Sequence, residues 1–205
     1  MGALDIAAID AAQKSSDPFD HIIVPGVITQ GALAAIHEDF PAIDKPGSYP
    51  LASLSYGPGF EALIRELHGP DFARAVGGKL GLDLSDKPTM ITVRGRCREK
   101  DGQIHLDSGG KIVTVLIYMN ASWEAPGGQL RLLRSADDLE DYAAEVPPAE
   151  GTMIAFTCND KAWHGHHSFD GERRTIQLNW VTSSRYLKRE QIRHTISAFF
   201  KKLFR

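Results

Sequence analysis

The 205-residue chain has only two cysteines, Cys97 and Cys158. That is too few for a disulfide-stapled scaffold, so a reduced cytoplasmic protein with two incidental thiols is expected. No apolar run approaches the ~18 residues a membrane-spanning helix needs. The longest, Ile112 to Met119, has the length of a strand. The N-terminus has no cationic stretch leading into an apolar core, so no signal peptide is expected. Met1-Gly2 would suit myristoylation, but Ile6 stands where that signal needs Ser or Thr. Neither charge sign dominates: 23 basic stand against 26 acidic residues, a formal net charge of −3. A chain without an overall basic field is not expected to take nucleic acid as a partner. Internal repeats and low-complexity segments are also missing.

What is present fits one domain over residues 1–205, with a core that buries roughly 70% of the unfolded surface. A helical layer is expected over about 1–86. Residues 1–15 read as a weak Ala-rich helix, and His21 to Val24 as a short strand. Thr29 can cap a helix to about Asp39, with Leu33, Ile36 and Phe40 on one face. Phe60, Leu63, Ile64 and Leu67 mark a second helix. Asp71 can cap a third, which carries Phe72, Val76 and Leu80 and stops at Gly81. From about 87 to 182 the texture changes to short β-rich runs at 89–97, 103–107, 111–119, 129–134, 152–157, 162–168 and 173–182. Ser135 followed by Asp138 suggests one capped helical turn among them. Many short strands with turn signals predict a sandwich or barrel, hence an α+β, mainly β fold.

The chemistry gathers around His105-Leu106-Asp107. Side chains at i and i+2 of a strand point the same way. One imidazole from a distant strand would complete two histidines and a carboxylate, the set that leaves coordination positions open in non-haem Fe(II) oxygenases. Trp163-His164-Gly165-His166-His167 offers that imidazole. His164 and His166 share a face if the segment is extended. His164 is the preferred ligand, because Gly165 beside it permits close approach; His166 then faces substrate or supports the ligands. Both residues stay open as the distal ligand on spacing alone.

The strand 173–180 alternates Arg174, Ile176, Leu178 and Trp180 with Arg173, Thr175, Gln177 and Asn179. Arg174 falls on the apolar face, read here as the inward one. A guanidinium buried there needs an anion: an internal carboxylate, or a bound dicarboxylate beside a metal. The Tyr118 hydroxyl could add a hydrogen bond, or Tyr118 could be core. Arg94 and Arg96 share a face and could meet an anionic substrate or form surface ion pairs. Trp123 could stack on substrate or cap the barrel.

Taken in order, several segments resemble the Fe(II)/2-oxoglutarate-dependent oxygenases, and within them the prolyl 4-hydroxylase-like branch. They are His105-Leu106-Asp107, Ile117-Tyr118-Met119-Asn120, Gly127 to Leu132, Gly151 to Phe156, Trp163 to His166, and Gly171-Glu172-Arg173-Arg174. The resemblance implies a double-stranded β-helix (jelly-roll) core with helices packed outside. It implies Fe(II) held by His105, Asp107 and His164, with 2-oxoglutarate and O2 as cosubstrates. It also implies a 2-oxoglutarate carboxylate held by Arg174 with help from Tyr118. The activity implied is C–H hydroxylation, with 2-oxoglutarate decarboxylated to succinate and CO2. The substrate would be a peptidyl or free proline, another amino acid, or another small molecule. Relatives often have a tyrosine where this chain reads Arg94-Gly95-Arg96-Cys97-Arg98, so no particular substrate carries over.

Two other function classes stand beside this one: a non-oxidative Zn enzyme on a cupin-like barrel, and a non-catalytic binding module. The spacing over residues 186–205 predicts a basic amphipathic helix that could dock internally, dimerise or touch a membrane surface.

Overall fold

The computed structural model describes residues 2–190. Four helices, α1 (Ile6–Ala11), α2 (Gln30–Glu38), α3 (Pro58–Leu67) and α4 (Pro70–Leu80), belong to the N-terminal part. Ten strands follow or interleave: β1 (Lys14–Ser15), β2 (His21–Val24), β3 (Tyr49–Pro50), β4 (Thr89–Cys97), β5 (Lys111–Tyr118), β6 (Leu130–Leu133), β7 (Tyr142–Val146), β8 (Met153–Thr157), β9 (His164–Gly165) and β10 (Gly171–Val181). They make a seven-stranded sheet in the order β1-β2-β8-β5-β10-β4-β3 and a three-stranded sheet β7-β6-β9, with antiparallel pairing throughout. The architecture is the expected one: a mainly β jelly roll with helices outside. No helix among the described residues is long and apolar enough to cross a membrane.

Both faces of the larger sheet are covered, and this decides where the site lies. One face carries Val113, Val115, Ile117, Ile176, Leu178 and Trp180, packed against Phe60, Leu63, Phe72 and Val76 of the helices. The opposite face carries Leu116, Tyr118, Ile154 and Phe156, which meet Leu130, Leu132 and Val146 of the smaller sheet. Strand alternation splits β10 the same way. Thr175 lies opposite Tyr118 and Arg94, Gln177 opposite Leu116 and Thr92, and Asn179 opposite Thr114 and Met90. Its apolar side therefore faces the helices, and its polar side faces the interior of the jelly roll.

Local chemistry accounts for most element ends. Asp5 caps α1 through the Ala8 N–H at 3.0 Å. Gly81 closes α4 in the left-handed conformation, φ 73°. Some expectations need correction. Asp71 is not the cap of α4: Gly69 is, because Pro70 takes the first helical position its fixed φ suits. Thr29 stands at the start of α2, but its hydroxyl donates to the Gly2 carbonyl (2.9 Å) instead of capping. The segment 103–107 is not a strand; only His105 pairs, in a single bridge to His164. The run 162–168 shrinks to two residues. The helical turn expected at Ser135 is absent; there the chain bends. β7 follows it, a strand of weak intrinsic pattern that forms by pairing with β6. Residues 184–190 are helical; the rest of the predicted C-terminal helix lies outside the described residues.

The helix-facing core makes a stability prediction. Trp180 is 1% exposed and stacks on Phe72 at 5.7 Å between ring centroids. Trp180→Ala should lower unfolding free energy by about 3–5 kcal/mol in urea titrations.

Candidate metal centre

His105, Asp107 and His164 converge, with one ligand atom from each within 4.8 Å of the others. Two segments far apart in sequence are tied by backbone: the His105 N–H donates to the His164 carbonyl (3.0 Å), and the His164 N–H to the His105 carbonyl (3.1 Å). Gly165 makes this crossing possible, because a Cβ there would meet the Gly102 carbonyl oxygen at 2.9 Å. The two imidazoles are fixed alike. Nδ1 of His105 contacts the Gln103 carbonyl at 2.8 Å, and Nδ1 of His164 the Ala162 carbonyl at 2.8 Å. A carbonyl can only accept, so each Nδ1 carries a proton, and Nε2 is the atom each ring has left to offer a metal. Burial, and next the nearby His105 ring, push the His164 pKa down to about 4, which keeps that ring neutral. Neutral imidazoles with bare Nε2 atoms are what a divalent metal binds.

Asp107 is held from both oxygens. Lys111 Nζ lies 2.6 Å from Oδ1, and the Thr114 hydroxyl donates to Oδ2. Burial alone would raise the carboxyl pKa, but Lys111, then His164, keep it below the ordinary carboxylate value. Cys158 sits behind, its Sγ 3.3 Å from the Thr114 hydroxyl. Burial and the Asp107 charge push this thiol up to about 12, so it is a neutral neighbour. The donor set, two imidazoles and a carboxylate, fits Fe(II) as the sequence implied.

The three residues open on a cavity of about 350 Å3, also lined by Thr92, Arg94, Lys111, His166, Arg173 and Gln177. The arginine here is Arg173, not Arg174. Arg173 is 5% exposed and has no carboxylate partner among the described residues. Its Nε donates to the Gly128 carbonyl (2.9 Å) and its Nη2 to the Tyr118 hydroxyl (3.3 Å), and its guanidinium lies 5.0 Å from the Tyr118 ring centroid. Arg174 lies on the other face of β10, 5.4 Å from the Phe40 ring centroid and paired with Glu172 at 3.1 Å. The expectation equated the apolar face of β10 with the inward one. With helices on one side, that apolar face lies against them instead.

The remaining sequence candidates divide. Arg94 and His166 line the cavity. Arg94 is paired with Asp101 at 2.9 Å. Burial, then the charge of Arg173, push His166 down to about 4. Tyr118 stands behind Arg173, fully buried, and is not among the lining residues. Arg96 and Trp123 lie outside the cavity: Arg96 pairs with Asp170 at 3.3 Å, and the Trp123 indole donates to the Gly127 carbonyl (3.0 Å) and packs on Phe169. Lys111 and Thr114 of β5 and Gln177 and Asn179 of β10 were not anticipated. For the two β10 residues the available signal was the polar alternation of that strand, whose apolar side was read as the inward one. From the 184–190 segment, Tyr186 reaches the Ser108 hydroxyl at 2.5 Å and Glu190 lines the cavity.

The fold and this cluster describe a jelly-roll protein with a two-histidine, one-carboxylate candidate metal centre. Residues 95–182 match the family model of the 2OG-Fe(II) oxygenase superfamily, and the resemblance read from the motifs holds. No curated protein matches the chain in sequence. Solved structures do match in fold. A Pseudomonas putida prolyl 4-hydroxylase is 17% identical, with TM-score 0.56, covering 86% of this chain and 98% of its own. A Phytophthora capsici prolyl 4-hydroxylase is 14% identical, with TM-score 0.56; the match covers 88% of this chain but only 63% of that one. HygX of Streptomyces hygroscopicus, solved with nickel and 2-oxoglutarate bound, is 12% identical, with TM-score 0.54 and coverage of 80% and 83%. At such identities the likeness is one of fold.

Gly102 tests the packing of the cavity wall. Its φ is 88°, and a Cβ would meet the His166 ring at 2.2 Å. Gly102→Ala should cost about 1–3 kcal/mol through backbone strain. It should also shift the His166 ring resonances in 15N-correlated NMR spectra, by displacing the ring.

Proposed function

We propose that this chain is an Fe(II)- and 2-oxoglutarate-dependent dioxygenase that hydroxylates an unactivated C–H bond. The observation that carries the reading is a juxtaposition. Three ligand atoms lie within 4.8 Å of one another, and they share a cavity with Arg173, a buried guanidinium with no carboxylate partner among the described residues. Leaving such a charge unpaired is costly, and a bound carboxylate offsets that cost with charge-assisted hydrogen bonds. When bound, Fe(II) with 2-oxoglutarate and O2 supplies the oxidising chemistry, releasing succinate and CO2 and delivering one oxygen atom to the substrate.

The residues of this chain hold and aim the reactants. His105 and His164 offer Nε2, and Asp107 a carboxylate oxygen, with neither ring free to turn. Arg173 anchors the far carboxylate of 2-oxoglutarate, and Tyr118 steadies the guanidinium from behind through its ring and hydroxyl. His166 is uncharged beside Arg173 and adds no second cation to that part of the wall. Arg94 and Ser48 line the same cavity and would contact substrate there. Prolyl 4-hydroxylases are among the fold relatives, so proline and other amino acids, free or in peptides, are the first substrates to screen.

Purified Fe(II)-loaded protein should release succinate from 2-oxoglutarate, faster with substrate present. Under anaerobic conditions it should develop a 2-oxoglutarate-dependent visible charge-transfer band; no band would sink the reading. Arg173→Ala should weaken 2-oxoglutarate binding by about 1.5–3 kcal/mol, the worth of a hydrogen bond to a charged group, and leave metal affinity unchanged. Arg174→Ala should change neither.

A further inference from the structure

A chain of hydrogen bonds runs along the cavity wall and ends on Asp107. Gln177 Nε2 donates to Asn179 Oδ1 (3.1 Å), Asn179 Nδ2 donates to Thr114 Oγ1 (2.6 Å), and the Thr114 hydroxyl donates to Asp107 Oδ2. Thr114 and Asn179 are each 1% exposed, so the bond between them is made by two buried side chains. The direction of every bond follows from one fact: an ionised carboxylate can only accept. Thr114 must therefore spend its single proton on Asp107. Asn179 must then present its N–H side to Thr114, which turns its Oδ1 to Gln177, and Gln177 must donate in turn. The hydroxyl has one competing acceptor, Cys158 Sγ at 3.3 Å. The Asn179 N–H occupies the Thr114 oxygen and keeps its proton directed at the carboxylate.

Resting on the metal reading above, we propose that Asn179 and Gln177 are positioning residues for the metal. Through Thr114 they fix the rotamer of Asp107 and withdraw charge from Oδ2, so that the metal meets a carboxylate oriented in advance. Nothing in the family match assigns these residues. The chain is built from three alternate-face positions of adjacent strands, at which β10 Asn179 lies directly opposite β5 Thr114. Gln177, Asn179, Thr114 and Asp107 all line the cavity, so the chain forms one stretch of its wall.

The test uses the full-length protein with Co(II) as the probe, read by dissociation constant and by the ligand-field absorption bands. Thr114→Val, Asn179→Leu and Gln177→Met should each weaken Co(II) binding, by up to about 10–100-fold, and shift the bands. Thr114→Ser, which keeps the hydroxyl, should restore both. The effect of Gln177→Met should vanish in a Thr114→Val background, because it acts through that hydroxyl. If Asn179→Leu does not fold by circular dichroism, Gln177→Met, at a half-buried position, carries the test. Unchanged affinity and bands in Thr114→Val or Gln177→Met would overturn the proposal, as would a Gln177→Met effect that persists without the hydroxyl. Failure of the unaltered protein to bind Co(II) would overturn the metal reading itself, and this proposal with it.

Discussion

Two backbone hydrogen bonds between His105 and His164 hold the site together. They close an antiparallel pair between a turn-rich segment and a two-residue strand, and the His166 N–H, donating to the Gly102 carbonyl (2.7 Å), adds a third backbone tie beside them. Such a pair brings Cα atoms to about 5.5 Å, and here the ring centroids stand 4.3 Å apart. The spacing of two ligands is thus set by main chain, before any cation arrives. β9 is in turn tied to β6, with Leu132 opposite His164. The smaller sheet therefore supplies one ligand, the larger supports the carboxylate through Lys111 and Thr114, and the bridge fixes the spacing of the two histidines. A site preorganised this way spends little binding energy on ordering its ligands.

The interior of the jelly roll is polar where most cores are apolar. Thr92, Thr114, Thr175, Asn179 and Arg173 are all buried there. Such groups are tolerable only when nearly every donor and acceptor is satisfied. Most are satisfied by one another, and Ser135 Oγ, elsewhere, is the buried side-chain polar atom with no partner among the described residues. The helix-facing layer offsets the cost, with Phe60, Phe72 and Trp180 buried in a continuous apolar cluster. Stability and chemistry are thus divided between the two faces of one sheet.

The sequence was legible where a local signal had one meaning. Alternation located β4 and β5, turn residues bounded them, and His105-Leu106-Asp107 with His164 stood out by ligand type. It was not legible where the meaning depended on what covers each face. An apolar face implies burial, but burial against helices and burial inside a jelly roll look alike in one dimension. Arg174 was chosen over Arg173 for that reason. His105 and Asp107 also come together by a route other than the one their spacing suggested: a bridge and a loop held by Lys111 and Thr114 stand where a regular strand was expected. β7 could not be read at all, since its pattern is weak and its partner supplies the order.

The arginine doublet at 173–174 shows what that division of faces demands. Because alternation has period two, sliding β10 by one residue exchanges its sides completely. A slipped strand would still present an arginine to the cavity. It would also carry Ile176, Leu178 and Trp180 into the polar interior and expel Gln177 and Asn179 toward the helices. The second arginine is therefore no spare for the first. Function here is written in the reading frame of the strand, and an insertion or deletion of one residue in β10 would erase it while leaving every required residue type in the chain.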